Sequence, residues 1–209
     1  MIPAKGIATG KSRLAHCLRP GMRERLNLFQ LMSTIRAAAD AFGPERTYVV
    51  SPCAEVGAVV RSEGVRFIRE SVPPGLNDAL EQARTELATR ALTMTVLPVD
   101  LPGVSAEALR DLFLHCAPDE ALIVPDRATD GTNVLRLPMA CPIQFSYGPR
   151  SFATHVRLLA MAGFPPRVIR GTCLRDDLDD IRHLRMHSRY SELIAADENH
   201  KNSCERSRT

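Results

Sequence analysis

Tryptophan is absent from this 209-residue sequence, which also has only 3 tyrosines and 7 phenylalanines. Proteins that bind single-stranded nucleic acid usually combine stacking aromatic side chains with a stripe of positive charge. Here the formal net charge is +3, and the arginines are scattered rather than clustered. We therefore expect no nucleic-acid partner.

Long apolar runs are also missing, since no stretch approaches the roughly 20 residues that a membrane-spanning helix needs. The sequence does not open with the charged and then apolar pattern of a secretory signal peptide. These absences predict a cytoplasmic protein with no membrane partner.

The six cysteines lie far apart, and no two of them have the C-x-x-C spacing of a zinc or redox site. In a reducing compartment we expect most of them to be small buried hydrophobes.

What the sequence does contain is a regular alternation of strand-like and helix-like segments. The expected strands are at 1–4, 46–50, 65–68, 93–99, 121–125, 134–137 and 168–169, and the expected helices are at 22–42, 54–61, 76–90, 105–115, 151–161 and from 177 onward. This order predicts a single Rossmann-like α/β domain over residues 1–196, with a mostly parallel sheet and helices on both faces. The polar segment 197–209 is expected to be a disordered tail. Ligands of such sheets bind beyond the carboxyl ends of the strands, so candidate site residues belong there.

The first loop, Gly6 to Arg13, comes close to a phosphate-binding Walker A motif but is one residue too short between its glycines. Lysine is rare in this chain: of 27 basic residues only three are lysine, and Lys5 and Lys11 both fall in this region. A looser phosphate loop, with Lys11 and Arg13 neutralising a triphosphate, is one interpretation. A P-loop kinase and an exposed basic loop without a ligand are the alternatives.

Acidic residues mark two further strand ends. Asp100 follows the clearest central strand, where a carboxylate can hold Mg²⁺ between protein and phosphates, although a turn-forming role before Pro102 is also possible. Four acids lie within residues 176–180. They are equally compatible with a solvated helix start and with a second metal ligand.

Two polar segments offer donors for a substrate. The loop 126–133 is rich in small polar residues, although an ordinary turn has the same composition. The Gly148-Pro149 turn leads into a helix at Ser151, whose free N–H groups could bind an anion or could simply be capped by the Ser151 side chain. His155, one turn into this helix, is expected to be structural.

Taken in order, these segments resemble the 2-phospho-L-lactate guanylyltransferase family of coenzyme F-420 biosynthesis. The matching pieces include Gly10-Lys11-Ser12-Arg13-Leu14, Gly75-Leu76-Asn77, Asp100-Leu101-Pro102, Gly131-Thr132-Asn133 and Phe145 to Ser151 with His155. The resemblance extends from the start to about Ile181. It implies a GT-A-type nucleotidyltransferase domain that transfers GMP from GTP to 3-phospho-D-glycerate, phosphoenolpyruvate or 2-phospho-L-lactate and releases pyrophosphate.

The resemblance also implies a role for each matching position. The nucleotide would be held by Lys5, Lys11, Arg13, Gly75, Leu76 and Asn77, with Lys11, Arg13 and Asp100 as catalytic residues. The phosphorylated acid would contact Thr132, Gly148 and Ser151. Mg²⁺ would be bound by Asp100 and Asp176.

One departure from the family pattern concerns the second acidic motif. Leu174 stands where the family usually has the first aspartate of that motif, so Asp176 is the preferred second ligand. Transfer to another acceptor, such as a molybdopterin or a sugar phosphate, and a regulatory nucleotide-binding module remain alternatives. The sequence does not indicate an oligomeric state.

Overall fold

The computed structural model describes residues 1–8, 18–71, 75–114, 116–117, 119–178, 184, 187–191 and 193. Within them, strands and helices alternate as the sequence predicts, and most ends fall within three residues of the expected ones. The strands are β1 (Ile2–Pro3), β2 (Tyr48–Ser51), β3 (Arg66–Arg69), β4 (Thr93–Val96), β5 (Leu122–Pro125), β6 (Thr132–Pro138) and β7 (Arg167–Val168). The α-helices are α1 (Pro20–Phe42), α2 (Ala54–Ser62), α3 (Leu76–Leu87), α4 (Ala106–Phe113) and α5 (Ser151–Met161).

The strands form one continuous layer in the order β3-β2-β1-β4-β6-β5-β7. Its two hydrogen-bonded halves meet at β1 and β4, where the Met1 nitrogen donates to the Thr95 carbonyl at 2.7 Å and the Leu97 N–H donates to the Met1 carbonyl at 2.9 Å. The ladders β1–β2, β2–β3 and β5–β7 are parallel, whereas β6 runs antiparallel to both of its neighbours. The expected mostly parallel sheet is confirmed. Because β6 is reversed, its first residue lies at the edge where the other strands end.

Helices cover both faces of the sheet, because alternate side chains along each strand point to opposite sides. Val49 packs with α1, α2 and α4 in one apolar cluster, while the next residue, Val50, packs with α3 and α5 in another. Leu122 and Ile123 on β5 divide in the same way. The strands β2, β5 and β6 are therefore largely buried on both sides, so the polar side chains beyond their ends are the ones placed to meet a ligand.

Several local expectations need correction. Thr132 and Asn133 belong to β6 rather than to the preceding loop, and Asp177 and Leu178 are not helical. Of the four described cysteines only Cys141 is buried, and Cys173 is exposed. The predicted tail 197–209 and most of the predicted last helix lie outside the described residues. No helix in the described part of the chain combines the length and apolar character required to cross a membrane.

Candidate active site

The carboxyl edge of the sheet gathers most of the described residues that the sequence singles out. Lys5 follows β1 and is exposed, and Asp100 follows the neighbouring strand β4 and is half-buried. Helix α1 supports both segments, since the Asn27 amide donates to the Ile7 carbonyl at 2.6 Å and the Thr34 hydroxyl to the Val99 carbonyl at 3.5 Å. The predicted phosphate-binding residues Lys11 and Arg13 lie outside the described residues, so their expected convergence with Asp100 remains a prediction.

Asp100 lies beside a chain segment that returns after β7. The Leu178 N–H donates to the Asp100 carbonyl at 2.9 Å. A Cβ added to Gly103 would lie 2.7 Å from the Cys173 carbonyl oxygen, so this glycine permits the close approach of the two segments. Burial is the main cause that raises the pKa of Tyr190, and the negative charge of Asp100 adds to it. Asp100 thus lies where backbone from both halves of the sequence meets.

Asp176 forms a two-point ion pair with Arg127. The Arg127 Nε donates to Asp176 Oδ1, and its terminal nitrogen donates to Oδ2 at 3.0 Å. Both carboxylate oxygens are therefore engaged by a guanidinium in this conformation. Because the Arg127 side chain is 77% exposed, it can move away into solvent. Asp176 as a metal ligand stays a prediction, and it requires that movement.

A polar stripe on α3 binds the backbone of residues 141–147, a segment without a strand partner. The stripe consists of Asn77, Glu81 and Arg84, whose spacing puts them on one helix face. Asn77 accepts from the Tyr147 N–H at 2.8 Å and donates to the Tyr147 carbonyl at 3.1 Å. Glu81 accepts from the Phe145 N–H at 2.8 Å. These contacts fix the segment that leads to Gly148.

Arg84 completes this stripe at the far end of the segment. Its guanidinium donates to the Ile143 carbonyl at 2.6 Å and to the Cys141 carbonyl. Only 15% of the side chain is exposed, and it also lies over the Phe145 ring at 6.0 Å. Helix α3, whose first turn carries the predicted nucleotide-binding residues, therefore also determines where the predicted acceptor-binding segment lies.

Thr132, the first residue of β6, is linked to that segment through His155 on α5. The Thr132 hydroxyl lies 3.0 Å from His155 Nδ1, and the Ser146 N–H donates to His155 Nε2 at 3.0 Å. The ring is fully buried and packs edge-to-face against Tyr147 with centroids 5.0 Å apart. Burial lowers the pKa of His155 to about 4, so the ring is neutral near pH 7. Nothing in the sequence pattern indicated this contact, because Thr132 and His155 are 23 positions apart.

The start of α5 differs from its expected capping. Arg150 occupies the N-cap position with a left-handed φ of 56°, and Ser151 is the first helical residue. Ser151 is almost fully buried at 2% exposure, and Asp130 replaces its expected capping role. The Asp130 carbonyl accepts from the Phe152 N–H at 3.0 Å, and its carboxylate accepts from the Arg150 N–H at 3.3 Å. The loop before β6 therefore holds the helix start on which Gly148 and Ser151 lie.

Asp126 organises the same loop from within. Its carboxylate accepts from the Asp130 N–H at 2.9 Å and from the Gly131 N–H at 2.8 Å. A Cβ at Gly131 would lie 2.7 Å from the Asp126 carboxylate, so glycine keeps this turn tight. Arg175 donates to the Asp126 carbonyl at 2.8 Å. Several polar groups of the loop 126–133, which the sequence suggests as a ligand site, therefore form the hydrogen bonds of the turn itself.

Two parts of the candidate site meet on β6: the predicted acceptor-binding residues around Thr132, and the segment from Leu174 to Leu178 that borders Asp100. Thr132 faces His155, and the adjacent residue, Asn133, donates to the Leu174 carbonyl at 3.0 Å. Leu174 immediately precedes Arg175 and Asp176, which face the turn after β5. The structure therefore connects the predicted acceptor-binding residues with the segment that borders Asp100.

Proteins of known structure share this fold. A crystal structure from Desulfovibrio desulfuricans G20, described as that of a nucleotide-diphospho-sugar transferase, is similar with a TM-score of 0.70 and 12% identity, covering 95% of this chain and 94% of that one. A nucleotidyl transferase from Methanothermobacter thermautotroptrophicus is similar with a TM-score of 0.58 and 16% identity, covering 91% and 96% of the two chains. At these identities the likeness establishes the fold alone, which is that of the nucleotidyltransferases.

The family follows from sequence. Residues 1–189 match the family model described as guanylyl transferase CofC like. A phosphoenolpyruvate guanylyltransferase from Chloroflexus aggregans is 35% identical over 191 residues, covering 89% of this chain and 94% of the relative. The chain belongs to the CofC-like guanylyl transferase family, which confirms the resemblance found in the sequence, and it is a nucleotidyltransferase. Fold and family together argue against the P-loop kinase alternative.

Proposed function

We propose that this guanylyltransferase transfers GMP from GTP to phosphoenolpyruvate with release of pyrophosphate, as a step of coenzyme F-420 biosynthesis. The observation that carries the choice of acceptor is the near full-length similarity to relatives named phosphoenolpyruvate guanylyltransferase, at 35% and 32% identity. 3-Phospho-D-glycerate and 2-phospho-L-lactate share the same chemistry, a carboxylate close to a phosphate. They are therefore the comparison substrates.

The reaction requires little covalent help from the protein. An oxygen of the acceptor phosphate attacks the α-phosphorus of GTP, and the bond to the departing pyrophosphate breaks. Since the nucleophile is already anionic, no general base is needed, and positioning and charge neutralisation carry the catalysis. Lys5, Lys11 and Arg13 would neutralise the triphosphate, and residues 75–77 would contact the nucleoside. Thr132, Gly148 and Ser151 would hold the phosphorylated acid.

A divalent cation fits this arrangement at Asp100. Mg²⁺ is usually held by one or two carboxylates together with substrate phosphates and water, so a single half-buried strand-end carboxylate is a suitable donor. Among the described residues no group of three or more His, Cys, Asp or Glu side chains could hold a metal ion, so phosphate oxygens and water would have to complete the coordination of such a cation. Bound there, the ion would offset charge on the triphosphate. Asp176 would join it after release from Arg127.

Pyrophosphate release tests the proposal directly. The wild-type protein is assayed with GTP and each of the three acids, with ATP and CTP as control nucleotides and with magnesium or with a chelator. We expect pyrophosphate with GTP and phosphoenolpyruvate, dependent on magnesium. A clear preference for either other acid would overturn the acceptor, and formation of GDP without pyrophosphate would overturn the reaction.

Substitution of Asp100 tests the metal site. We expect Asp100→Ala to abolish magnesium-dependent turnover while the far-UV circular dichroism spectrum stays that of the wild type. Asp111→Ala, which removes an exposed acid on α4, is the matched control and should retain full activity. Undiminished turnover in the Asp100 variant would remove this residue from the mechanism.

A further inference from the structure

We infer that His155 is a positioning residue, whose neutral imidazole aims the Thr132 hydroxyl at the bound acceptor and holds the Ser146 backbone beside it. This inference rests on the proposed function, since Thr132 is taken as an acceptor contact. It adds a residue to which that function assigns no role. His155 does not touch the reacting atoms and would act through Thr132 and the segment around Ser146.

The hydrogen bonds at the two ring nitrogens determine which tautomer is present. The Ser146 backbone N–H can only donate, so His155 Nε2, 3.0 Å away, must present a lone pair. A neutral imidazole then carries its proton on Nδ1. This proton faces the Thr132 hydroxyl oxygen at 3.0 Å, so the ring donates and the hydroxyl accepts. Burial favours the neutral ring, because it lowers the pKa of His155 to about 4.

The direction of that bond leaves the Thr132 proton available. A hydroxyl has one proton and two lone pairs, and one lone pair is taken by His155. Within the described residues, the contact with His155 is the one side-chain hydrogen bond formed by Thr132. The hydroxyl proton can therefore be donated to a phosphate or carboxylate oxygen of the acceptor. If the ring carried its proton on Nε2 instead, the Thr132 hydroxyl would donate its own proton to Nδ1 and could not donate it to the acceptor.

The surroundings restrict the ring to this orientation. His155 is fully buried, Tyr147 packs against it edge-to-face, and Thr132 is only 8% exposed. The Ser146 end of the contact belongs to the segment whose next residue, Tyr147, is held by Asn77 at two points. Both partners of the ring are thus fixed by the fold, which makes the histidine a connector between the start of β6 and the turn at Gly148.

Two conservative variants separate the two contacts. In His155→Asn the shorter amide reaches the position of Nδ1 and can still donate to Thr132. In His155→Gln the longer amide reaches the position of Nε2 and can still accept from the Ser146 N–H. We expect His155→Gln to raise the KM for the acceptor roughly three- to tenfold with the KM for GTP unchanged, as one hydrogen bond would predict. His155→Asn should keep the acceptor KM closer to that of the wild type.

Thr132→Val supplies the coupling measurement that a purely structural role would not produce. In the wild-type background this variant should raise the acceptor KM, whereas in the His155→Gln background it should add little. Independent effects of the two substitutions on the acceptor KM, or an effect confined to the KM for GTP, would each overturn the inference. Lack of wild-type turnover with all three acids would overturn the proposed function as well, so the two failures are distinguishable.

A measurement on the unaltered protein covers the case in which a variant does not fold. Long-range ¹H–¹⁵N correlation spectra of ¹⁵N-histidine-labelled wild type at pH 7 report which ring nitrogen carries the proton. We expect the Nδ1–H form for His155, although free histidine in water prefers Nε2–H. An Nε2–H tautomer or a charged ring at this pH would contradict the geometry.

Discussion

Asn77 is predicted to contact the nucleotide, yet both ends of its side-chain amide also hold the backbone of Tyr147. Substitution by alanine removes a donated bond of 3.1 Å and an accepted bond of 2.8 Å. Each hydrogen bond contributes about 0.5–1.5 kcal/mol net, so the free energy of unfolding should fall by about 1–3 kcal/mol. Water can reach the half-buried residues and replace part of the loss, which favours the lower half of that range.

The functional effect of Asn77→Ala should appear mainly on the acceptor side. The substitution frees the segment that carries Ser146 and Gly148, so we expect the acceptor KM to rise roughly tenfold, as the loss of about 1.4 kcal/mol of binding would produce. Urea denaturation measures the stability, and pyrophosphate release with each substrate varied in turn measures the two KM values. Thr85→Ala on the same helix is the control, because within the described part of the chain that exposed hydroxyl donates only to the Glu81 carbonyl of its own helix.

One pattern of results would refute this reasoning. If Asn77→Ala left stability and the acceptor KM unchanged but raised the KM for GTP, the contacts with Tyr147 would be incidental. Asn77 would then act on the nucleotide alone. Changes in both KM values would indicate that it does both, which its remaining amide proton allows.

Three further perturbations follow from the described contacts. Arg84→Met should lower the free energy of unfolding by about 2–4 kcal/mol in urea denaturation, because it leaves the carbonyls of Cys141 and Ile143 without their charged donor, and Arg84→Lys should not restore two-point binding. Asp126→Asn places an amide against two backbone N–H donors and should cost about 1–2 kcal/mol, seen as a lower melting temperature; an unchanged value would contradict the assigned turn. Between pH 6.5 and about 4, His155 is protonated in the unfolded protein but stays neutral in the folded protein, because burial lowers its pKa. The free energy of unfolding therefore keeps this contribution in full above pH 6.5 and falls by about 3 kcal/mol as the pH is lowered through this range. An equal pH dependence in His155→Gln would exclude this ring as the cause.

The order of strands and helices could be predicted because apolar periodicity is a local property of the sequence. The position of Asp100 at a strand end followed from the same reasoning, since ligand sites in parallel sheets lie beyond the carboxyl ends. Ser151 as an N-cap was wrong, because the chain adopts a left-handed conformation at Arg150 and Asp130 supplies the helix start with its acceptors. Local composition does not show that a distant aspartate takes over the capping.

The connections within the site could not be predicted, because they join positions distant in sequence. Asn77 and Tyr147 are 70 positions apart, and Arg127 and Asp176 are 49 apart. The sequence indicated Asn77 and Asp176 individually, and it included Arg127 in the loop 126–133 and Tyr147 in the segment from Phe145 to Ser151. It could not show that Asp176 pairs with an arginine, because ion pairing depends on how β5 and the segment after β7 are brought together.

The arrangement of α3 has a consequence for how the reaction would respond to mutation. Its first turn carries the predicted nucleotide contacts, and its polar stripe of Asn77, Glu81 and Arg84 holds the backbone that leads to the predicted acceptor contacts. In-line transfer requires the attacking oxygen and the α-phosphorus to approach within about 3–3.5 Å, and displacements of about 1 Å can cost two orders of magnitude in rate. Because α3 would position both substrates, a displacement of this helix would change the distance between the attacking oxygen and the α-phosphorus. Substitutions in the stripe should therefore lower kcat as well as raise the acceptor KM, whereas loss of a contact made equally before and during transfer would raise KM alone.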